Sequence, residues 1–244
     1  MRSTTWRNPT TALLASLVLV AAGFIYPATA QNAEVQQRIA ALKQTAAQNQ
    51  QNIRQYEWIE TTVISLKGEE KSQDQKQCYY GADGGVQKVD ISESPQAAQK
   101  HGLRGKVVAK KKAELTDYMK EAVALVKSYV PPDPARIQAV KDSGNVSLNM
   151  PGAGQPAQVN LRNYVKPGDT LSIEVDPASN RIVGLTVATY LDDPKDAVTL
   201  NVRFSVLPDG TQYPATVNLV AQAKNLSVDV TNSGYRKVSL VGTR

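Results

Sequence analysis

The last hundred residues of this chain alternate in polarity. From Val198 to Val206, the apolar residues Val198, Leu200, Val202, Phe204 and Val206 are interleaved with Thr199, Asn201, Arg203 and Ser205. A period of two is that of a strand with one buried face. The same texture marks Val146 to Met150, Val159 to Tyr164, Leu171 to Val175, Ile182 to Tyr190, Tyr213 to Ala223, Leu226 to Val230 and Tyr235 to Val241. The connectors are short and turn-rich: 151–156 (PGAGQP), Lys166-Pro167-Gly168-Asp169, Asp176-Pro177-Ala178-Ser179-Asn180 and Leu207-Pro208-Asp209-Gly210. Parallel neighbours need crossovers of about a dozen residues or more, so these strands form an antiparallel meander.

Upstream, Trp58, Thr62, Ile64 and Leu66 read as a strand. A turn at Lys67–Glu70 leads to a polar return strand ending in Cys78, Tyr79 and Tyr80. The Gly-rich turn 81–85 leads to a third short strand, Val86 to Ile91. Two helical patterns flank this unit. Val35, Ile39, Leu42, Ala46, Ile53 and Tyr56 make one stripe over 33–56, behind a candidate N-cap at Asn32. Asn49 interrupts the seam that a coiled-coil partner would need. Val108, Leu115, Tyr118, Met119, Ala122, Val126 and Tyr129 share one face of a helix over 106–130, which Pro131-Pro132 ends. Asp133-Pro134 then starts a short helix with Ile137 and Val140 inward and Gly144 at its end. A sheet with one apolar face must cover it. The expected fold class is α+β: a curved antiparallel β-sheet, a half-barrel, covered by the N-terminal helix and the helical insertion at about 106–142.

The first thirty residues have the composition of a cleavable secretory leader. Arg2 and Arg7 precede an uncharged apolar run, and Ala28-Thr29-Ala30 offers the small residues a signal peptidase reads. The run is shorter than the ~20 apolar residues of a spanning helix. The only cysteine is Cys78, so no thiol follows the cleavage site and a lipid-anchored form is not expected. The expected division is a signal peptide, 1–30, and one α+β domain, 31–244, that is periplasmic or secreted. Without Arg2 and Arg7 the chain holds 26 basic and 22 acidic residues, a net +4. That suits an anionic lipid surface or envelope polymer and carries no nucleic-acid signature. A lone cysteine excludes an intramolecular disulfide and reads as a small buried hydrophobe.

Catalytic signals are sparse. His101 is the only histidine and lies in a Lys/Gly-rich stretch, unlike an oriented base. One His and one Cys leave no zinc site of the usual ligand types. Asp192-Asp193-Pro194-Lys195-Asp196 lacks the spacing of a calcium loop and reads as a solvated turn. Neither Gly81–Gly85 nor Gly152–Gly154 has the strand–helix context of a phosphate cradle. Carboxylates paired in space, as for glycoside hydrolysis, stay open, although 6% aromatics is little for stacking sugars. No catalytic residue, metal or cofactor is assigned, and no enzymatic activity is expected.

Two constellations remain. Lys100, Arg104, Lys106, Lys110, Lys111 and Lys112 crowd positive charge at a helix start, against the macrodipole. They form either a solvated face or a docking patch for an anionic membrane surface or an acidic envelope protein. The apolar strand faces holding Trp58, Ile64, Ile173, Val175, Val202, Phe204, Val217 and Leu219 are either core or the wall of an apolar cavity for an acyl chain.

The element order (leader, helix, hairpin, helical insertion, long meander) resembles the LolA/LolB lipoprotein-carrier superfamily, whose half-barrel also occurs in periplasmic stress-sensor domains. Leu171-Ser172-Ile173-Glu174-Val175-Asp176-Pro177 with its return strand, and Leu207-Pro208-Asp209-Gly210-Thr211-Gln212-Tyr213-Pro214, share that texture. The pattern covers about 57–244, with an insertion longer than the carrier's, and no functional residue is carried over. The resemblance implies an open, lipid-facing half-barrel that binds lipid or lipoprotein. The leading expectation is therefore an exported, non-enzymatic protein binding an acyl chain or lipidated protein. The alternatives are an interaction scaffold or sensor with a packed core and a basic docking helix, and an exported hydrolase.

Overall fold

A computed structural model describes residues 47–91, 103–152, 154–179 and 181–238, with the side chains of 103–109 left out. The leader 1–30, most of the expected N-terminal helix, His101 and Lys100 lie outside these residues, as do the side chains of Arg104, Lys106 and Val108.

Among the described residues ten strands form one sheet, every neighbouring pair antiparallel. They are β1 (Tyr56–Leu66), β2 (Glu69–Tyr80), β3 (Val86–Asp90), β4 (Val146–Asn149), β5 (Ala157–Arg162), β6 (Thr170–Asp176), β7 (Arg181–Tyr190), β8 (Ala197–Val206), β9 (Gln212–Ala221) and β10 (Leu226–Lys237). The spatial order is β3-β2-β1-β10-β9-β8-β7-β6-β5-β4. Two sequential ribbons, β1–β3 and β4–β10, thus meet at one pairing, β1 with β10. The expected curved antiparallel sheet of α+β class is what the chain forms.

The turns explain the register. Lys67 and Gly68 both have positive φ, 55° and 79°, the backbone of a two-residue turn that matches strand twist. One expectation is corrected. Leu226 to Val230 and Tyr235 onward belong to a single strand, β10, rather than two. Gly234, at φ 63°, lies beside a register shift against Glu57 and Ile59. The extra residue is absorbed as a bulge, not a turn.

The helical insertion leaves from one edge strand, β3, and returns to the other, β4. Its first helix, α1 (Leu103–Lys127), lies on the path between the two edges. Twenty-five residues at about 1.5 Å each give ~38 Å. Ten strands at ~4.8 Å spacing span ~43 Å when flat. The face read from the sequence is the one that packs. Tyr118, Ala122, Val126 and Tyr129 are buried in the core, and Leu115 and Met119 pack against it. The second helix, α2 (Pro134–Asp142), starts as expected: the Asp133 carboxylate accepts the Ala135 N–H at 2.8 Å, and Ile137 and Val140 are buried.

Hydrogen bonds clamp the end of α1 to the sheet. Asp169, 1% exposed, accepts the backbone N–H groups of Tyr164 (2.6 Å), Val165 (2.9 Å) and Lys166 (2.8 Å). The Tyr129 hydroxyl donates to it at 2.6 Å and lies 2.7 Å from the Thr189 hydroxyl. Two further tyrosines repeat the device: Tyr118 donates to Asp196 at 2.5 Å and Tyr56 to Asp209 at 2.6 Å. The Asp192–Asp196 turn is thus half structural, since Asp196 anchors α1 while Asp193 accepts the Lys195 N–H.

Residues 47–53 are helical, and the chain is already a strand at Tyr56, before the expected helix end. Asn49 has a role that the sequence did not suggest. Its amide donates to the Gln212 carbonyl at 3.0 Å and accepts the Gln212 N–H at 2.6 Å. It pairs with the start of β9 as a strand residue would.

Candidate functional site

The strand registers stack the concave face into rows. One row runs Ile64, Val228, Leu219, Leu200, Val187, Leu171, Leu161, Val146. Its neighbour runs Thr62, Val230, Val217, Val202, Leu185, Ile173, Val159, Leu148. Each crosses eight strands and is apolar except for Thr62. Seven of the eight expected wall residues meet in this one cluster: Ile64, Ile173, Val175, Val202, Phe204, Val217 and Leu219. They differ in cover. Ile173, Val175, Val202 and Leu219 are buried, whereas Ile64, Phe204 and Val217 are only partly so. Tyr118, Ala122, Val123 and Val126 of α1 share one buried cluster with Leu161, Leu171, Leu185 and Leu200 of the sheet.

Trp58 stands apart. It stacks on Tyr235 (5.5 Å between centroids, 8° between planes) and lies 5.6 Å from Tyr80. Tyr235 also contacts Tyr213 and Tyr56. The Trp58 indole N–H donates to Asn232 Oδ1 at 3.0 Å, and Asn232 Nδ2 donates to the Pro214 carbonyl at 2.9 Å. So the β1–β3 end of the face is aromatic and polar where the other end is aliphatic.

That end holds a buried ion pair. Glu60 Oε1 lies 2.5 Å from Lys88 Nζ, with side-chain exposures of 1% and 11%. Glu60 follows Trp58 at the next inward position of β1, and Lys88 pairs with Cys78 across β2. The bond therefore passes over β2 beside Cys78. Cys78 is fully buried, and its thiol is pushed up to about 12, first by burial and then by the Glu60 carboxylate. It is a packed hydrophobe, as its sequence setting implied. Burial raises the Tyr235 hydroxyl too, with Tyr80 and Tyr213 adding to it.

Sequence reasoning missed Glu60, Lys88, Asn232 and Tyr235. A signal existed for the first: in Trp58, Glu60, Thr62, Ile64, the alternation that reads as a strand places a carboxylate on the apolar face. Lys88 had none, since it meets Glu60 only through two strand pairings.

Of the basic run, Lys110, Lys111 and Lys112 are described, and all are exposed. Lys110 lies 4.0 Å from Glu114 one turn on, a pair worth about 0.5 kcal/mol or less. Among the described residues no three His, Cys, Asp or Glu side chains gather as a metal site would require. No described helix is long and apolar enough to cross a membrane.

No protein-family model and no curated protein matches the chain. The solved structures to which it is similar, at low identity, include these three. A LolA superfamily protein from Nitrosomonas europaea is 9% identical over 81% of this chain and 94% of that one, with a TM-score of 0.35. A putative outer membrane lipoprotein-sorting protein domain from Vibrio parahaemolyticus is 12% identical over 82% and 93%, at 0.33. A DUF1329 family protein from Desulfovibrio piger is 9% identical over 80% and 91%, also at 0.33.

Proposed function

We propose that this chain is an exported, non-enzymatic envelope protein that holds an acyl chain, or the acyl group of a lipidated protein, against the concave face of its half-barrel. The leader 1–30 delivers a single domain, 31–244, to the periplasm or the exterior. The observation that carries the reading is an apolar face wider than its described cover. Rows of Val, Leu and Ile run unbroken from β10 to β4, yet Ile64, Phe204 and Val217 keep part of their surface open. Burying each such side chain under a ligand is worth about 25 cal/mol per Å² of apolar area. Binding without chemistry fits the tyrosine-bonded state of Asp169, Asp196 and Asp209, which anchors these carboxylates at three separate places.

The test is lipid capture by the mature protein. Native mass spectrometry of protein purified from an envelope fraction is expected to reveal a bound lipid, and an environment-sensitive naphthylamine probe should bind and be displaced by fatty acid. Val217→Asp puts a carboxylate at a partly open position of that face. It should weaken probe binding about tenfold or more, measured at a temperature where circular dichroism shows the variant still folded. A wild-type protein that carries no lipid and ignores the probe would sink the proposal.

A second reading has its own support: the packed space under α1 and the exposed Lys110, Lys111 and Lys112. It makes the molecule a scaffold or sensor whose helix docks an anionic membrane surface or acidic protein. Binding to anionic vesicles with no apolar ligand present would favour it over the first.

A further inference from the structure

We propose that Glu60 and Lys88 receive a zwitterionic headgroup, a primary ammonium on the free oxygen of Glu60 and its phosphate beside Lys88. The inference rests on the acyl-chain reading of the concave face and names the polar end of the same ligand.

It starts from an unmade bond. Only Oε1 of Glu60 is engaged, by Lys88. Oε2 is buried and has no hydrogen-bond partner. An ionised carboxylate accepts from several donors, and a buried oxygen without one is costly. The near donors are spent elsewhere. The Trp58 N–H goes to Asn232, Asn232 Nδ2 goes to Pro214, and the Cys78 thiol points at the Lys76 carbonyl, 3.8 Å away. The missing donor must come from outside this group.

Position and charge say what kind of donor. Glu60 pairs with Asn232, and the next inward pair along is Thr62 with Val230, where the apolar row that holds Val217 begins. A molecule lying on that row would end at Glu60. The other flank is aromatic, from Trp58, Tyr80, Tyr213 and Tyr235, and ring faces favour a cation. Glu60 and Lys88 together are neutral. A lone ammonium would add an uncompensated positive charge, and an anionic headgroup would set a negative one beside a carboxylate. A zwitterion adds neither. A primary ammonium has N–H donors for Oε2, and its charge-assisted bond is stronger than a hydroxyl's. A trimethylammonium has no N–H to give.

The experiment compares three probes by calorimetry with the full mature chain: dioctanoyl phosphatidylethanolamine, dioctanoyl phosphatidylcholine and chain-free glycerophosphoethanolamine. The expected result is a preference of about tenfold for the ethanolamine lipid over the choline lipid, with the chain-free compound much weaker than either. Glu60→Gln should erase the preference while leaving the choline lipid's Kd in place. If that variant melts early, Glu60→Gln with Lys88→Gln removes both charges together and should give the same loss. Equal Kd values for the two lipids on the wild type would overturn the headgroup site and leave acyl binding standing. Binding of the chain-free compound as tightly as the lipid would keep the headgroup site and remove the acyl reading. No binding of any probe would overturn both.

Discussion

Asp169→Ala is expected to be the most damaging single substitution in the described part of the chain. Its carboxylate is 1% exposed and holds three consecutive backbone N–H groups and the Tyr129 hydroxyl. Alanine leaves four donors without their acceptor in a space too closed for free hydration. Each stranded buried group costs about 1–3 kcal/mol, with partial relief by relaxation or an entering water. The expected loss is roughly 4 kcal/mol. The damage spreads because Tyr129 lies just past the end of the insertion's long helix, Leu103–Lys127. Once the clamp is gone, the contacts of Tyr118, Ala122 and Val126 with the sheet loosen with it. Chemical denaturation should show a lower midpoint, and Asp169→Asn, which keeps one acceptor oxygen, should fall between. A change under 1 kcal/mol in the alanine variant would mean that the turn 163–169 holds itself.

A steep loss of stability in alkali is the second large effect expected. Among the described residues six tyrosine hydroxyls are raised above their ordinary value: Tyr56, Tyr80, Tyr118, Tyr129, Tyr164 and Tyr235, in each case chiefly by burial. The Cys78 thiol is pushed up to about 12 from 9.0. These groups are neutral when protonated, and the folded state holds their protons more tightly than the unfolded one. Their stabilising effect is whole below the unfolded pKa values, near 9 to 10, and is lost as pH climbs towards the folded ones. Each group contributes about 1.4 kcal/mol per pH unit in that window. Counting only Cys78, Tyr118 and Tyr129, the loss by pH 11 is roughly 5 kcal/mol. The urea midpoint should hold steady from pH 7 to about 8.5 and drop above it. Tyrosinate absorbance and thiol labelling should rise together at the unfolding transition. A midpoint still flat at pH 11 would contradict this.

Much of the fold was legible because it is written locally. The period of two at Val198–Val206, the Lys67-Gly68 turn, the Asp133-Pro134 cap and the stripe from Leu115 to Tyr129 each depend on neighbours within a few residues. Even the wall of the concave face follows, since alternation assigns Val202 and Val217 to one side whatever they pair with. What was not legible depends on pairings that close over long stretches of chain. Glu60 meets Lys88 only because β2 lies between their strands, and Trp58 meets Tyr235 only because β10 returns beside β1. Asp169 was read as a turn former, which it is. Nothing within Lys166–Asp169 reveals that Tyr129 will arrive from the far side of the sheet. Asn49 was read as a flaw in a helix seam, when its amide is what ties 47–53 to β9.

The joining of two ribbons at β1 and β10 has a kinetic consequence. Every other strand pairs with a neighbour in sequence and can zip as soon as its turn forms. The β1–β10 pair instead joins the two ends of the described chain, and closing so long a loop is entropically slow. The meander β4–β10 can gather around α1 by itself, whereas the β1–β3 ribbon must wait for β10 to be in place. During synthesis from the N-terminus, β1 emerges first and stays unpaired on that side until the last strand has been made. Over that interval the inward edge of β1 is an open template, and Glu60, the one charge among its inward-facing residues, stands where another chain's strand would try to dock.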